Sequence, residues 1–349
     1  MKKILFAMAA LFSCINVSYA QTSFIATLQH ESEFSHYYGA GALTSAYNAA
    51  VDGDIITLSP GTFTWSGTFN KGITLRGAGV EASEKTYISS NVTFASTDNA
   101  RETTVEGIRF SNSVDVENNS SGTGQGAIKF IKNIIQSLYA KRASSYSSDK
   151  GPAVRFYNNS IYNLYFYDYT HPDFLFYNCY VTNPYSSSSN FSETTTAFVN
   201  CVINWTSTYS SSAYYLNFYN CIFNWTYSYY GGSDTSYLLP NTATCYNCLS
   251  INKGQLFRDL VSGGNNWTAG NASDVFLTYR TSHSEGENFS LTETAKATYI
   301  GTDGTEVGMQ GGNYPYSTTV QYPVITTFSS DSQTDKNGSL NIEVEVDGK

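Results

Sequence analysis

A short acidic stretch carries the residues best suited to acid–base chemistry. Asp168, His171 and Asp173 place two carboxylates and an imidazole within six residues, and such groups can exchange protons with a substrate where they converge. Arg155 lies 13 residues earlier and would fall on an adjacent turn of a repeating fold. A catalytic pair depends on geometry that spacing alone does not supply. The simpler interpretation is a solvated loop in which Asp and Pro form turns, so these four residues are secondary catalytic candidates.

Several carboxylates could hold a calcium ion if they shared one face of the fold. Calcium prefers oxygen ligands, but no loop of this chain shows the spaced Asp or Asn ligands around a central Gly that mark a dedicated site. We therefore predict no metal and no other cofactor, with calcium as the alternative. The carboxylates that would supply that alternative site are Asp115, Glu117, Asp149 and Asp168.

An aromatic stripe is the most suggestive binding feature. Four tyrosines occupy the same phase of a repeated phrase, and two tryptophans lie 20 residues apart in matching Asn-Trp-Thr contexts. Exposed rings among polar neighbours can stack on the apolar faces of sugars. The alternative is ring packing between adjacent turns that only stabilises the fold. The predicted substrate-binding residues are Tyr157, Tyr177, Tyr219, Tyr246, Trp205 and Trp225, with Val199 interrupting the tyrosines.

A recurring phrase predicts the elements that position these residues. It consists of an aromatic residue, a spacer, an Asn and usually a Cys. Its Asn residues are separated by 21, 25, 20, 22, 20 and 27 residues, and a period of this size is typical of a solenoid. Leucine-rich repeats would require a regular Leu frame, and tandem β-sandwiches would not repeat one phrase in phase. The Asn positions of the phrase are 112, 133, 158, 178, 200, 220 and 247.

The phrase also predicts which side chains face inward. With the strand period of two, Phe176 points inward and Tyr177 outward. Asn178 then occupies the bend, because Asn tolerates the left-handed conformation. Cys179 begins the next strand pointing inward, and Asn residues of successive coils can form an amide ladder. The same frame places Cys201 with Ile203, and Cys221 with Phe223, inside. We interpret the Cys-x-x-Cys at 245–248 as part of this core, since no partner motif for zinc or redox chemistry accompanies it.

The beginning and end of the repeat resemble a known superfamily. Residues 53–63 read GDIITLSPGTF and residues 73–79 read ITLRGAG, and together with a predicted helix at 43–50 they look like the first coils of pectate-lyase-like parallel β-helices. Residues 303–315 read DGTEVGMQGGNYP and are similar to the closing segment of secreted β-helix proteins from Bacteroidetes. The resemblance covers roughly residues 40–316. It implies an all-β fold, a single-stranded right-handed parallel β-helix with a short N-terminal capping helix.

The same resemblance is weak for function, because the superfamily also includes surface adhesins, and it is the aromatic stripe that favours a polysaccharide as the partner. The superfamily includes lyases that use calcium and a basic residue, and hydrolases that use Asp-Asp and Gly-His-Gly motifs. This chain has no Asp-Asp, no Gly-His-Gly and no Arg-x-Lys. We therefore predict a glycan-binding protein without turnover. The alternatives are a polysaccharide lyase or glycoside hydrolase with a divergent site, and a purely structural component of the cell envelope.

The chain ends and the charge complete the prediction. Residues 1–20 read as a signal peptide, with a lipoprotein signal at Cys14 as the alternative. The β-helix domain is predicted at 21–316, and a tail with two β-strands at 317–349. The protein is then secreted, periplasmic or on the surface of a Gram-negative cell, and has no transmembrane segment. A formal net charge of −9 disfavours nucleic acid. We expect a monomer.

Overall fold

The fold is built almost entirely from short strands. The computed structural model describes residues 24–95, 102–118, 126–142, 154–166, 174–186, 196–205, 216–225, 239, 243–251, 265–278, 287, 289–318, 324–330 and 342–347. Its helices are Ala42–Ala49 and Glu293–Thr298, with a 3-10 turn at Ala272–Asp274. The strands in chain order are β1 (Ile25–His30), β2 (Glu33–Tyr38), β3 (Ile55–Leu58), β4 (Gly61–Phe63), β5 (Thr68–Phe69), β6 (Thr74–Arg76), β7 (Thr86–Ile88), β8 (Val92–Ala95), β9 (Thr103–Glu106), β10 (Ile108–Asn118), β11 (Ile128–Ile131), β12 (Ile134–Arg142), β13 (Val154–Tyr157), β14 (Ser160–Ile161), β15 (Leu164–Phe166), β16 (Phe174–Tyr177), β17 (Tyr180–Thr182), β18 (Pro184–Ser186), β19 (Ala197–Val199), β20 (Val202–Trp205), β21 (Asn217–Tyr219), β22 (Ile222–Trp225), β23 (Thr244–Tyr246), β24 (Leu249–Ile251), β25 (Trp267–Ala269), β26 (Val324–Ser330) and β27 (Ile342–Asp347).

Two long sheets run side by side along the axis of a solenoid. Sheet A has the order β2-β1-β3-β6-β9-β11-β13-β16-β19-β21-β23, and every neighbouring pair from β3 onward is parallel. Sheet B has the order β25-β24-β22-β20-β17-β14-β12-β10-β7-β4, with β5, β8, β15 and β18 beside it. Successive coils are therefore in register and about 4.8 Å apart. The prediction of a right-handed parallel β-helix is confirmed.

The interior of the solenoid contains a file of stacked phenylalanines. Phe130, Phe156, Phe176, Phe198 and Phe218 occupy the same position in successive coils of sheet A and are fully buried. Their ring centroids are 4.6–5.0 Å apart, and neighbouring planes are within 17° of parallel. Burying one such side chain contributes about 1.5–3 kcal/mol. This file confirms the inward phase predicted for Phe176.

A left-handed corner follows each of these strands. Residues 132, 158, 178, 200, 220 and 247 all have φ between 50° and 56°, and five of these six residues are Asn. The prediction of an Asn bend is confirmed for that part of the chain. Upstream it is wrong: Lys132 holds the corner, whereas Asn133 is in register with Asn159. Asn112 lies within β10, at a register shift between Phe110 and Ser113.

The position after the corner explains why Asn and Cys replace one another. The backbone N–H of Asn133 donates to Asn159 Oδ1 at 2.9 Å, and Asn159 Nδ2 donates to the carbonyl of Phe130 at 2.8 Å. One coil further, the N–H of Cys179 meets Cys201 Sγ at 3.4 Å, and Cys201 Sγ meets the carbonyl of Phe176 at 3.4 Å. An amide or a thiol can thus satisfy the backbone groups that a sharp bend leaves unpaired. The five cysteines of the described coils are buried, and none of them is in a disulfide.

The N-terminal end of the solenoid is closed by a helix and a hairpin. The helix Ala42–Ala49 confirms the predicted one to within a residue, and it buries Leu43, Ala46 and Tyr47 in the same core as the coils. The Tyr47 hydroxyl accepts from the backbone N–H of Asn70 at 2.7 Å. Strands β1 and β2 pair antiparallel and extend sheet A beyond β3. These contacts support its predicted role as a cap.

A C-terminal layer covers the outer face of sheet B. Val202, Ile222 and Leu249 point away from the solenoid interior, yet they are buried against residues of the segment 272–316. Tyr180 joins them and stacks on Phe289 with ring centroids 5.2 Å apart. The sequence analysis did not predict this second core, because it assigned only the inward residues of the strands that follow the corner. The residues that cover them include Val275, Phe276, Phe289, Leu291, Val307 and Met309.

The tail contains the two strands that the sequence predicts. Strands β26 and β27 pair antiparallel over Val324–Ser330 and Ile342–Asp347 and form a separate two-stranded sheet. Whether this hairpin packs on the solenoid, and whether the domain boundary lies at 316, stay predictions.

Candidate functional site

The outer face of sheet A carries a file of tyrosines, and we call it the tyrosine file. It consists of Tyr157, Tyr177, Val199, Tyr219 and Tyr246, which are in register on five successive strands. All five side chains are partly exposed. Because strand side chains alternate, the file lies back to back with the buried phenylalanines. The structure thus brings together the four tyrosines that the sequence singled out.

The rings of the tyrosine file stack on one another. Tyr157 and Tyr177 have centroids 5.2 Å apart with planes 10° from parallel, and Tyr219 and Tyr246 have centroids 5.1 Å apart with planes 5° from parallel. Stacked rings use their faces on each other. The file therefore presents ring edges and hydroxyl groups to a ligand, rather than the flat faces that sugar stacking requires. Packing between coils, the alternative considered for these residues, does occur.

Partial burial disfavours ionisation of three of the tyrosine hydroxyls. Partial burial raises the pKa of Tyr157, Tyr177 and Tyr219 above the usual value for a phenol. For Tyr219 the neighbouring Tyr246 adds to the increase. A neutral phenol both donates and accepts hydrogen bonds. The file is therefore a row of polar phenol groups on four of its five coils, with the apolar Val199 on the fifth.

A second outward file runs beside the tyrosines, and its chemistry changes along the axis. Lys129 and Arg155 are in register at one end, and Lys129 Nζ lies 2.7 Å from Glu102 Oε1. Toward the other end the file continues with Asn217 and Thr244, whose side chains share a 2.6 Å hydrogen bond. Charged groups thus flank Tyr157, and neutral polar groups flank Tyr219 and Tyr246.

The corner asparagines hold a C-terminal strap, which we define as residues 299–318. Asn158 Nδ2 donates to the Tyr314 carbonyl at 2.9 Å, and Asn178 Nδ2 donates to the carbonyls of Met309 and Gly311 at 2.9 and 2.7 Å. Asn247 Nδ2 donates to the Ile300 carbonyl at 2.9 Å. The strap thus runs back along the solenoid, and successive corner residues contact successive parts of it. The other contacts are from Lys132 Nζ to the Ser317 carbonyl, from Asn200 Nδ2 to the Glu306 carbonyl, and from the Thr302 N–H to Asn220 Oδ1.

The strap changes the expected role of the stacked asparagines. At the corner, amide–amide contact remains between Asn220 Nδ2 and Asn200 Oδ1, at 3.5 Å. Shorter amide ladders occur elsewhere, from Asn224 to Asn204 at 3.2 Å and from Asn133 to Asn159 at 3.0 Å. The corner amides therefore form most of their hydrogen bonds with the strap rather than with one another.

Glycine lets the strap approach the corner closely. A Cβ atom on Gly311 would lie 1.7 Å from the Glu306 carbonyl oxygen and 2.7 Å from Asn200 Nδ2. Gly308 adopts φ 84°, and a Cβ atom there would lie 2.6 Å from Ile222 Cδ1. The close packing of the strap against the coils thus explains why the strap is rich in glycine.

One aromatic residue of the strap reaches the tyrosine file. The Tyr314 ring meets Tyr157 with centroids 4.8 Å apart and an interplanar angle of 64°, and meets Tyr177 at 5.6 Å and 61°. Tyr314 itself is 47% exposed. The sequence analysis missed this contact, because 137 or more residues separate Tyr314 from the rings that it touches.

The other predicted site residues divide into three groups. Trp205 and Trp225 are opposite each other in the register of β20 and β22, but their side chains lie outside the described residues. Arg155 lies on β13 and contributes to the electrostatic surroundings of Tyr157 and Tyr177. The rest of the acid–base cluster, Asp168, His171 and Asp173, lies outside the described residues, as does Asp149.

The remaining calcium candidates lie on one strand. Asp115 and Glu117 point from the same side of β10 and are in register with Tyr139 and Lys141 of β12. Within the described parts of the chain, no group of three or more His, Cys, Asp or Glu side chains could hold a metal ion.

A second tyrosine row was missed by the sequence analysis. Tyr139, Tyr165 and Tyr185 are in register on β12, β15 and β18. Tyr139 and Tyr165 stack with centroids 5.1 Å apart, whereas Tyr185 is tilted by 56° at 6.3 Å. Their spacing of 26 and 20 residues would have revealed the row, had the repeat been followed beyond the Asn-Cys phrase.

Comparison with models of known protein families, with curated proteins and with solved structures finds no match to this chain. Among the described residues, no helix has the length and apolar character needed to cross a membrane.

Proposed function

We propose that this protein binds a neutral, hydroxyl-rich polysaccharide along the tyrosine file, without turning it over. The observation that carries the proposal is the row of in-register tyrosine hydroxyls on the outer face of sheet A. Adjacent coils repeat about every 4.8 Å, which is close to the length of one sugar unit in an extended chain. A polymer of sugars can therefore meet a tyrosine hydroxyl at each unit that lies over a coil with a tyrosine, which excludes the coil of Val199.

The chemistry of the file supports recognition by hydroxyl groups rather than by ring faces. Each phenol can donate and accept one or more hydrogen bonds, as can each sugar hydroxyl. The ring faces are largely used in stacking within the file. The low charged fraction of the chain, 13%, also suits an uncharged partner.

The proposal extends to the origin of the fold. We propose a relationship to the pectate-lyase-like superfamily, supported by the capping helix and by the parallel coils that follow it. Secretion to the cell envelope and a monomeric state are part of the same proposal, and the N-terminal sequence supports the first of them.

Binding can be tested with a panel of polysaccharides. Cellulose, xylan, mannan and starch provide neutral chains, and pectin and alginate provide acidic ones. We expect the full chain to bind at least one neutral polymer in affinity electrophoresis or pull-down. Release of reducing ends or of unsaturated products would contradict the absence of turnover, and failure to bind any glycan would overturn the proposal.

The role of the hydroxyls can be separated from that of the rings. The variants Tyr219→Phe and Tyr246→Phe keep the stacked rings and remove one hydroxyl each. Each should weaken binding about two- to tenfold, the equivalent of a hydrogen bond of about 0.5–1.5 kcal/mol. Tyr38→Phe is the matched control, because Tyr38 is 65% exposed and lies on β2 at the far end of the sheet. Equal losses in all three variants would contradict a site at the tyrosine file.

A further inference from the structure

The tyrosine file is not equally accessible along its length. Tyr314 leans on Tyr157 and Tyr177 at centroid distances of 4.8 and 5.6 Å. No strap residue makes a ring contact with the Tyr219–Tyr246 pair among the described contacts, and that pair stacks only on itself. Val199 separates the two pairs. The file therefore has one end that the strap covers and one end that it leaves open.

Hydrogen bonds anchor the strap around Tyr314, whose ring covers Tyr157 and Tyr177. Asn158 Nδ2 binds the Tyr314 carbonyl at 2.9 Å, and the N–H of Tyr316 binds the Met309 carbonyl at 2.8 Å. The Tyr316 hydroxyl donates to Glu81 Oε1 at 2.5 Å, and Lys132 Nζ binds the Ser317 carbonyl at 2.9 Å. Pro315 restricts the backbone between the two tyrosines of the strap. The backbone that carries Tyr314 is thus anchored, and its ring lies against Tyr157 and Tyr177.

We propose that Tyr314 closes the file at Tyr157 and Tyr177, so that it limits the ligand to a short segment bound along Val199, Tyr219 and Tyr246. This inference rests on the proposed function and assigns a specificity-determining residue to it. Two coil spacings separate Val199 from Tyr246, a length of about 10 Å. A segment of about two or three sugar units fills that length.

The surroundings of the open end select an uncharged segment. Asn217 and Thr244 flank Tyr219 and Tyr246 with neutral polar groups. On the strap side Asp303 accepts from Asn220 Nδ2 at 3.4 Å, which places a carboxylate beside the corner that follows Tyr219. The cations Lys129 and Arg155 lie at the closed end. An acidic sugar at the open end would therefore lie near the Asp303 carboxylate and away from Lys129 and Arg155.

The length limit can be tested with oligosaccharide ladders. The probes are β-1,4-linked glucan and mannan oligosaccharides of two to six units, measured by calorimetry against the full chain. The affinity of the wild type should rise up to about three units and then level off. Tyr314→Ala should extend the rise to five or six units, with a gain of about tenfold for the longest probe. Tyr314→Phe keeps the ring and should behave as the wild type.

A second pair of variants checks which tyrosines are in contact with the ligand. Tyr157→Phe should weaken the binding of long probes to Tyr314→Ala more than it weakens their binding to the wild type. An unchanged length dependence in Tyr314→Ala would overturn the inference while leaving the proposed function in place. The absence of binding by every probe and polymer would overturn both.

Discussion

Tyr219 and Ile222 lie three residues apart on opposite sides of the corner at Asn220, and both point away from the solenoid interior. Tyr219 belongs to sheet A and remains partly exposed beside another tyrosine. Ile222 belongs to sheet B and is completely buried under the C-terminal layer. The two outer faces therefore belong to the same repeat, but one is partly exposed and the other is buried.

The difference shows that the polarity of the outward residues determines which face of the solenoid is covered. The inward positions of both sheets are apolar and build one continuous core. On strands β17, β20, β22 and β24 of sheet B the outward positions include Tyr180, Val202, Ile222 and Leu249, which must be covered to leave water. The corresponding strands of sheet A carry the tyrosine file and its polar neighbours, which can remain at the surface and contact a ligand. The open face is therefore the one available for binding.

Truncation on the two faces should have the most unequal effect. Ile222→Ala removes a buried side chain and should lower the free energy of unfolding by about 2–5 kcal/mol. Tyr219→Ala removes one partner of an exposed stacked pair and should cost about 0.5–1.5 kcal/mol. Urea unfolding followed by circular dichroism measures both. Equal costs would show that the two faces are covered alike.

Alkaline pH should reduce the contribution to stability of Tyr180, on the covered face, more than that of a tyrosine on the open face. Burial beneath the C-terminal layer raises the pKa of Tyr180 from 10 to about 12. An acid group whose pKa is raised on folding stabilises the fold below its unfolded pKa. That contribution is lost as the pH rises through the folded value. Between pH 10 and 12, Tyr180 should therefore lose about 2–3 kcal/mol of its contribution to stability.

The measurement compares the wild type with Tyr180→Phe across this pH range. Their difference in unfolding free energy should fall steadily from pH 10 to 12. Tyr219→Phe, on the open face, provides the control and should show a smaller fall. A constant difference for Tyr180→Phe would contradict the covered state of sheet B.

Substitutions at the corner between the faces should have a smaller effect than Ile222→Ala. Asn178→Gly keeps the left-handed conformation but removes the side-chain donor to the Gly311 carbonyl and one of the two donors to the Met309 carbonyl, at a cost of about 1–3 kcal/mol. Asn178→Ala should cost about 1 kcal/mol more, because Ala tolerates φ 51° poorly. Thermal unfolding of the two variants gives the difference. Asn158→Gly, at a more exposed corner with one bond to the strap, should lose less. If Asn158→Gly and Asn178→Gly lost equally, the strap would not depend on the buried corner bonds.

Local patterns in the sequence were sufficient for the coils. Alternation along a strand placed Phe176 inside and Tyr177 outside, and the tolerance of Asn for positive φ placed Asn178, Asn200 and Asn220 at the bend. The weaker copies of the phrase misled the analysis, because Lys132 and Gly107 take the corner where Asn133 and Asn112 were expected. A corner requires a backbone conformation, which Gly adopts readily and Lys can be forced to adopt.

The sequence by itself determined the period, the inward file and the bend, because each of these depends on residues next to one another in the chain. Tertiary structure alone decided which outer face is covered and which tyrosines remain accessible. Asn158 and Tyr314, for instance, are 156 residues apart when they bond. No periodicity in the sequence encodes such a contact, because the strap is not itself a repeat. Its position depends on the close fit of its glycine backbone against the corners of the coils.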